Sequence, residues 1–456
     1  MKLASTIAAI STPHGVGGIG IVRISGPDAR AVADRVFTSP RGKKIADADG
    51  YTALYGHVHQ DDVTIDEAIA LVFAAPASYT GEDVVELSVH GGIYVVKSVL
   101  RAVLAAGATP AGPGEFTKQA FLNHKLDLTQ AESVMQLISA DGEAQRRAAL
   151  SGREGAVSKK TAEIRDFLLH TAGNLAAFTD YPDEDIPELS PEHFGRSLDR
   201  AADMLRELLD SYDAGKILRE GIDTVIAGRP NVGKSTLMNL MAGENRSIVC
   251  DVAGTTRDVV EESVLLGDVR LRLSDTAGLR NTEDPVEAIG VERARDKLKN
   301  AQLVLAVLDA SVPMEDADRE LLAACKNTAA LVIVNKSDLP QKLDLAEIRA
   351  SGLEFVIMSA EQPDAVKILE EAVARVTGVA NLNEQTVLLA SERQRDCAAA
   401  ALAAVREAAS TLRAGFTLDA VGVCLDEALA QLLSLTGERV SNAVADDVFR
   451  RFCVGK

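Results

Sequence analysis

The segment that most restricts how this chain can fold is glycine-rich and runs from Gly228 to Ser235 as GRPNVGKS. It fits the pattern G-x-x-x-x-G-K-[ST], and it stands between a β-like apolar run and a run whose apolar residues recur at helical spacing. Glycines in such a loop let backbone N–H groups surround phosphates, Lys234 can reach the β and γ oxygens, and the Ser235 hydroxyl can bind Mg²⁺. The segment therefore predicts a phosphate-binding loop at the start of a helix.

Short apolar runs alternate with helical segments on both sides of this loop. Alternation of this kind predicts a mostly parallel sheet covered by helices, and the expected strands are Thr224–Ala227, Leu271–Ser274, Leu303–Leu308, Leu331–Val334 and Phe355–Met358.

Three further motifs follow at expected strand ends. Asp275-Thr276-Ala277-Gly278 offers a carboxylate toward Mg²⁺ and the Gly278 N–H toward a γ-phosphate. Asn335-Lys336-Ser337-Asp338 offers a carboxylate to the guanine N1 and N2 donors, which adenine lacks, so GTP is favoured over ATP. Ser359-Ala360 is expected to close over the base.

Between the first two motifs, the run Gly254-Thr255-Thr256-Arg257-Asp258 is typical of a switch loop, with Thr256 as a second hydroxyl ligand for Mg²⁺. Leu279 stands where many GTPases carry a glutamine that orients the attacking water. An acidic residue must replace that glutamine, and Glu283, Asp284, Glu287 and Glu292 are the candidates.

The flanking regions differ from the centre. Before residue 121 short β-like runs alternate with glycines, with strands expected at Ile19–Ile24, Ala68–Phe73 and Val84–Val89. Residues 121–220 and 379–456 are helical in pattern, apart from the acidic stretch 180–187, which is expected to be a loop. We therefore predict a multidomain α/β plus all-α protein with four segments: 1–120, 121–220, 221–378 and 379–456.

Composition narrows the class of protein. A formal net charge of -19 disfavours blanket neutralisation of nucleic-acid phosphates, so RNA contacts are expected to be local or made through a partner. Five dispersed cysteines without a Cys-x-x-Cys pair indicate a reduced, cytoplasmic protein. No apolar run approaches the roughly 20 residues that span a bilayer.

Several motifs together resemble the MnmE (TrmE) family of tRNA modification GTPases over essentially the whole chain. The resemblance includes the phosphate loop, the Gly-Thr-Thr-Arg-Asp run, Asp275–Arg280 and the terminal residues Phe452 to Lys456. In the N-terminal region it includes Thr12–Gly26, Tyr79–Asp83, His90–Gly92, Pro113–Thr117 and Phe121–Leu128. Val16 and Cys250 depart from residues that some members carry.

The resemblance implies an N-terminal domain that dimerises and binds a tetrahydrofolate derivative, a split helical domain and an inserted Ras-like GTPase domain. It places Arg23, Glu86, Lys125 and the terminal Lys456 at folate-contacting positions. It also implies joint action with an FAD-binding partner, MnmG, to install an aminomethyl-type group at C5 of the wobble uridine of certain tRNAs. Cys453 lies in the family's terminal motif, but a lone cysteine near a chain end is more often incidental.

The resemblance further implies K⁺ bound by the Asn231 side chain, with Cys250, Val252 and Thr255 as additional ligands, when two GTPase domains meet. Its water-orienting glutamate falls on Glu287, which answers the question posed by Leu279. Motifs and resemblance together predict the following contacts to GTP: Asn231, Val232, Gly233, Lys234, Ser235, Thr236, Cys250, Asp251, Val252, Ala253, Gly254, Thr255, Thr256, Asp275, Thr276, Ala277, Gly278, Asn335, Lys336, Asp338, Ser359 and Ala360.

Two other functions share the central domain: a ribosome-assembly GTPase, and a stress-signalling GTPase whose flanking domains serve only assembly. The first would want a basic RNA-binding appendage, which the acidic composition disfavours. Neither has a reason to bind folate.

Overall fold

Two separate β-sheets organise the protein in a computed structural model, which describes residues 5–180, 190–244, 262–273, 301–381 and 387–456. The chain divides into two compact units, the first with residues 1–135, 153–205 and 396–456 and the second with residues 136–152 and 206–395. The fold is α/β in both sheet regions and all-α in the segments between and after them. The four-segment domain division stays a prediction.

The first unit contains a seven-stranded sheet. Its strands are β1 (Ile7–Ile10), β2 (Ile19–Ser25), β3 (Phe37–Thr38), β4 (Thr52–Gln60), β5 (Val63–Phe73), β6 (Val84–His90) and β7 (Thr109–Pro110). They lie in the order β3-β4-β5-β6-β2-β1-β7, antiparallel except for the β1–β7 pair. The three strands expected here are confirmed.

Helices α1 (Ala29–Val36) and α2 (Ile93–Ala105) cover one face of this sheet. Side chains alternate between the two faces of a strand, so Val22 and Ile24 enter the core beneath these helices. Arg23 lies between them in sequence and therefore projects from the opposite face, where helix α3 (Glu115–Leu122) packs through Phe116.

Helices of 9 to 30 residues form the helical regions among the described residues. They are α4 (Leu128–Ser139), α5 (Glu143–Arg153), α6 (Ala156–Asp180), α7 (Pro191–Glu220), α12 (Glu392–Arg413), α13 (Leu418–Thr436) and α14 (Asn442–Arg450). The expected loop at 180–187 falls almost wholly outside the described residues. In the part that the structure describes, no helix is both long and apolar enough to cross a membrane.

The second unit contains a six-stranded sheet built from β8 (Ile222–Ala227), β9 (Glu262–Leu266), β10 (Val269–Leu273), β11 (Leu303–Asp309), β12 (Ala329–Asn335) and β13 (Glu354–Ile357). The order is β13-β12-β11-β8-β10-β9, and every pair is parallel except β9–β10. The predicted mostly parallel sheet is confirmed.

Both faces of this sheet are covered. Leu303, Leu305 and Val307 of β11 enter one apolar cluster, while Val304 and Ala306 enter a second cluster on the other face. All seven residues of β11 are buried for that reason. The covering helices are α8 (Lys234–Glu244), α9 (Asp316–Ala324), α10 (Leu345–Ser351) and α11 (Ala365–Val376).

Candidate functional sites

The phosphate loop connects the end of β8 to the start of α8, as the sequence predicts. Gly228 has φ +152° and Gly233 has φ +103°, and a Cβ at Gly233 would stand 2.1 Å from the Asn335 amide nitrogen. These positions therefore require glycine. Leu237 and Met241 are buried and anchor α8 on the sheet, whereas Ser235 and Thr236 are exposed in its first turn.

Side chains bind four backbone carbonyls of this loop. The Lys234 ammonium donates to the carbonyls of Gly228 and Arg229, each at 2.7 Å. The Lys336 ammonium donates to the Asn231 carbonyl at 2.7 Å, and the Asn335 amide donates to the Val232 carbonyl at 2.9 Å. The bound carbonyls fix how the peptide planes of the loop are turned.

No acceptor within the described residues engages the backbone N–H groups of Asn231, Val232 or Gly233. Loop amides without partners beside a helix N-terminus form an anion-binding concavity. Lys234 adds a positive charge there, and burial lowers the pKa of its ammonium. The loop thus fits the polyphosphate of a nucleotide.

The two motifs predicted to bind guanine meet this loop through Asn335. Its side chain is 3% exposed, and its oxygen accepts from the Ala360 N–H at 3.0 Å while its nitrogen holds the phosphate loop. Ser359 and Ala360 are buried, and Asp338 is exposed at the turn after β12. The structure brings these predicted residues together at the carboxyl edge of the sheet.

Sequence reasoning missed one residue here, Asp309 at the end of β11. Its carboxylate accepts from Lys336 at 2.6 Å and from the Ser311 hydroxyl at 2.6 Å. The carboxyl group is desolvated, but the hydrogen bonds from Lys336 and Ser311 outweigh that effect and lower its pKa. The sequence did offer a signal for Asp309, because this carboxylate is the last residue of a strand that is otherwise wholly apolar.

The remaining residues that were predicted to bind nucleotide or cations fall outside the described ranges. These are Cys250, Asp251, Val252, Ala253, Gly254, Thr255, Thr256, Asp275, Thr276, Ala277, Gly278 and Glu287. Their roles stay predictions, as do the nucleotide and cation roles of all the described residues.

A second candidate site lies on the first sheet, around Arg23. Arg23 and Glu86 are directly opposite on β2 and β6, and their Nε–Oε1 distance is 2.8 Å. The Arg23 guanidinium carbon lies 5.8 Å from the ring centre of Tyr79 and 5.5 Å from that of Phe116. Two aromatic rings and one carboxylate therefore hold this guanidinium in a single orientation.

The end of the chain reaches the same place. Val454 pairs with Pro113, and the Gly455 carbonyl accepts from Arg23 Nη1 at 3.3 Å and from the Ser11 hydroxyl at 3.2 Å. Burial, followed by the positive charge of Arg23, lowers the pKa of Lys456. Arg153 adds a further positive charge that acts on Lys456, and Glu86 opposes it, so positive charge exceeds negative charge among these groups and the site suits an anionic ligand.

Lys125 joins this region less directly. Its ammonium donates to the Pro76 carbonyl at 3.0 Å, and its side chain packs beside Gly81. It therefore contacts the 76–82 loop that carries Tyr79, rather than Arg23 itself. Tyr79 and Phe116 were not singled out from the sequence as site residues, because only the tertiary packing brings them against Arg23.

Comparison with known proteins gives matches along the whole chain. A family model described as the N-terminus of the GTP-binding protein TrmE matches residues 6–125, and one described as the MnmE helical domain matches residues 128–453. The chain is 42% identical over 457 residues to the tRNA modification GTPase MnmE of Geobacillus thermodenitrificans, covering 99% of both chains. It is 38% identical to the protein of that name from Clostridioides difficile, covering 100% of both.

Proposed function

The chain belongs to the MnmE (TrmE) family of tRNA modification GTPases, and on this premise we propose that it couples GTP hydrolysis to modification of the wobble uridine. The proposed product carries an aminomethyl or carboxymethylaminomethyl group at C5 of that uridine. A tetrahydrofolate derivative bound by the N-terminal domain is proposed to supply the one-carbon unit.

The observation that carries the folate proposal is the meeting of Arg23, Glu86 and Lys456. Residues 432 positions apart in sequence, Arg23 and Gly455, are hydrogen-bonded, which brings the terminal lysine to the sheet. Two cations suit the glutamate carboxylates of folate, and Glu86 can accept from the N–H edge of a pterin. Lys125 is proposed to contribute from the neighbouring loop.

For GTP hydrolysis we propose Mg²⁺ held by Ser235 and Thr256, and K⁺ held by Asn231, Cys250, Val252 and Thr255. K⁺ would supply the positive charge that an arginine finger supplies in other GTPases. Glu287 is proposed to orient the attacking water. The resemblance supports these roles, and the exposed position of Asn231 and Ser235 at the phosphate loop is compatible with them.

The proposed assembly is a homodimer that works with the FAD-binding partner MnmG on tRNA. The net charge of -19 supports tRNA contacts made mainly through the complex. So does the aromatic content of 4%, because few side chains are available to stack on bases.

Folate binding is tested by titrating 5-formyltetrahydrofolate into the full-length protein. Arg23→Ala should weaken binding at least tenfold, because it removes the guanidinium that Glu86, Tyr79 and Phe116 orient. Arg101→Ala is the matched control, since Arg101 lies on α2 and stacks on Tyr94 in the same domain. Equal affinity in the wild type and the Arg23 variant would contradict the proposal.

Two further measurements test the K⁺ assignment and the tRNA assignment. GTP turnover should be faster in K⁺ than in Na⁺ at equal ionic strength, and equal turnover would remove the K⁺ assignment. Nucleosides of tRNA from a deletion strain should lack the C5 modification of the wobble uridine. Unchanged wobble uridines would overturn the tRNA assignment and leave a GTPase of another process.

A further inference from the structure

The second residue of the phosphate loop, Arg229, has two separate sets of contacts. Its backbone carbonyl accepts from the Lys234 ammonium at 2.7 Å. Its guanidinium turns away from the loop to the start of α9, where Nε donates to Asp318 Oδ1 at 3.0 Å and Nη1 contacts the Glu315 carboxylate. One residue thus connects the loop lysine to a neighbouring helix.

The acidic partner of this contact is unusually well fixed. Asp318 is only 2% exposed, and its second oxygen accepts from the Glu315 N–H at 3.0 Å in a capping box at the start of α9. Both carboxylate oxygens are therefore used, one for the helix and one for Arg229. A buried carboxylate with this geometry holds a guanidinium in one orientation.

The backbone at Arg229 has little freedom of its own. Pro230 follows it, and a residue before proline is restricted to extended conformations. Proline also removes one N–H from the loop. With the side chain fixed at α9, the carbonyl of Arg229 is left facing Lys234.

We propose that Arg229 is a positioning residue for GTP hydrolysis, which uses its contact with Asp318 and Glu315 to place the Lys234 ammonium. Arg229 does not touch the nucleotide in this proposal. It fixes the carbonyl of residue 229, and that carbonyl, with the carbonyl of Gly228, holds Lys234 where the β and γ phosphates lie. The proposal rests on the GTPase activity of the family and is independent of the folate site.

The test separates positioning from general stability. Negative charge on the γ-phosphoryl oxygens is redistributed in the transition state of hydrolysis, whereas GDP lacks that group. Arg229→Gln should therefore lower kcat about tenfold, the effect of about one charged hydrogen bond, and raise the Kd of GDP less than threefold. Arg229→Lys should give a kcat between the Arg229→Gln and wild-type values, because an ammonium keeps the charge beside Asp318 but cannot repeat the fixed two-point contact of the guanidinium.

Arg319→Ala is the matched control. Arg319 lies on the same helix, and its side chain pairs with Asp316 and Glu347 rather than with the phosphate loop. It should leave kcat and the Kd of GDP unchanged. An unchanged kcat in Arg229→Gln would overturn the proposal, and so would a rise in the Kd of GDP as large as the fall in kcat.

A second variant tests the same proposal if Arg229→Gln does not fold. Asp318→Asn keeps Arg229 and the volume of its partner, but its single amide oxygen cannot accept from both Arg229 and the Glu315 N–H. It should lower kcat about threefold and change the Kd of GDP less than threefold, at a temperature where thermal unfolding shows the variant to be folded. Wild-type kcat in that variant would refute the role of the pair.

Discussion

Asn335 connects the phosphate loop to the segment after β13, and its truncation is expected to disturb both. Asn335→Ala removes the bonds to the Val232 carbonyl and from the Ala360 N–H, at 2.9 and 3.0 Å. Val232 is 2% exposed and Ala360 is 6% exposed, so water cannot readily replace the lost partner. Each of these two buried backbone groups costs about 1–3 kcal/mol when it is left without a hydrogen-bond partner. The free energy of unfolding of the second unit should therefore fall by about 2–6 kcal/mol.

The effect on nucleotide binding follows from the same contacts. The loop carbonyl at Val232 is released, and the Ser359–Ala360 segment loses its fixed position, so GDP should bind at least tenfold more weakly. The assay is equilibrium binding of a fluorescent GDP analogue, with thermal unfolding followed in parallel. Gln341→Ala is the control, because Gln341 is exposed and its amide donates within its own loop, to the Leu343 carbonyl at 3.1 Å.

Asn335→Asp separates the two contacts. The carboxylate can still accept from the Ala360 N–H, but it cannot donate to the Val232 carbonyl when ionised. If the phosphate-loop contact dominates, this variant should lose as much affinity as Asn335→Ala. A GDP affinity within twofold of the wild type in Asn335→Ala, with an unchanged melting temperature, would refute the reasoning.

Three further predictions concern the chain end and the cysteines. Gly455 has φ +96°, and a Cβ there would lie 2.3 Å from the Ile10 carbonyl oxygen. Gly455→Ala should therefore detach the tail and weaken 5-formyltetrahydrofolate binding, measured by calorimetry, at least tenfold. GTP turnover in this variant should stay at the wild-type rate. Burial lowers the pKa of Lys456, so its ammonium loses its proton at a lower pH than an ordinary lysine does. The affinity for the anionic folate should therefore fall as the pH rises through that lowered pKa. Lys456→Met should remove this pH dependence. Burial raises the pKa of the Cys325 thiol to about 11. Iodoacetamide at pH 8 should therefore label the exposed Cys453 and spare Cys325, as measured by peptide mapping. Equal labelling of the two cysteines would contradict this prediction.

The strands of the GTPase domain could be predicted from local pattern alone. Runs such as Leu303–Leu308 are apolar throughout, because a parallel strand covered on both faces has no polar side. The phosphate loop was equally visible, since its glycines, lysine and serine act within eight consecutive residues. Side-chain periodicity and backbone conformation are set by near neighbours, so a single sequence carries them.

The contacts that hold the sites together could not be predicted in this way. Asn335 binds Val232 across 103 positions, and Lys336 binds Asn231 across 105. From the sequence both residues were predicted to contact GTP, and only the packed sheet shows that their side chains bind the phosphate loop. Arg229 carried no signal beyond its place in the loop motif, because its acidic partners lie about 90 residues further on.

The Arg23 site shows the same division. Resemblance indicated Arg23, Glu86 and Lys456, but the register of β2 against β6 is what places the first two side by side. The approach of the tail depends on Gly455 fitting against the Ile10 carbonyl. Such contacts join residues that lie 63 or 432 positions apart in the chain, and they exist only once both segments have packed against the same sheet.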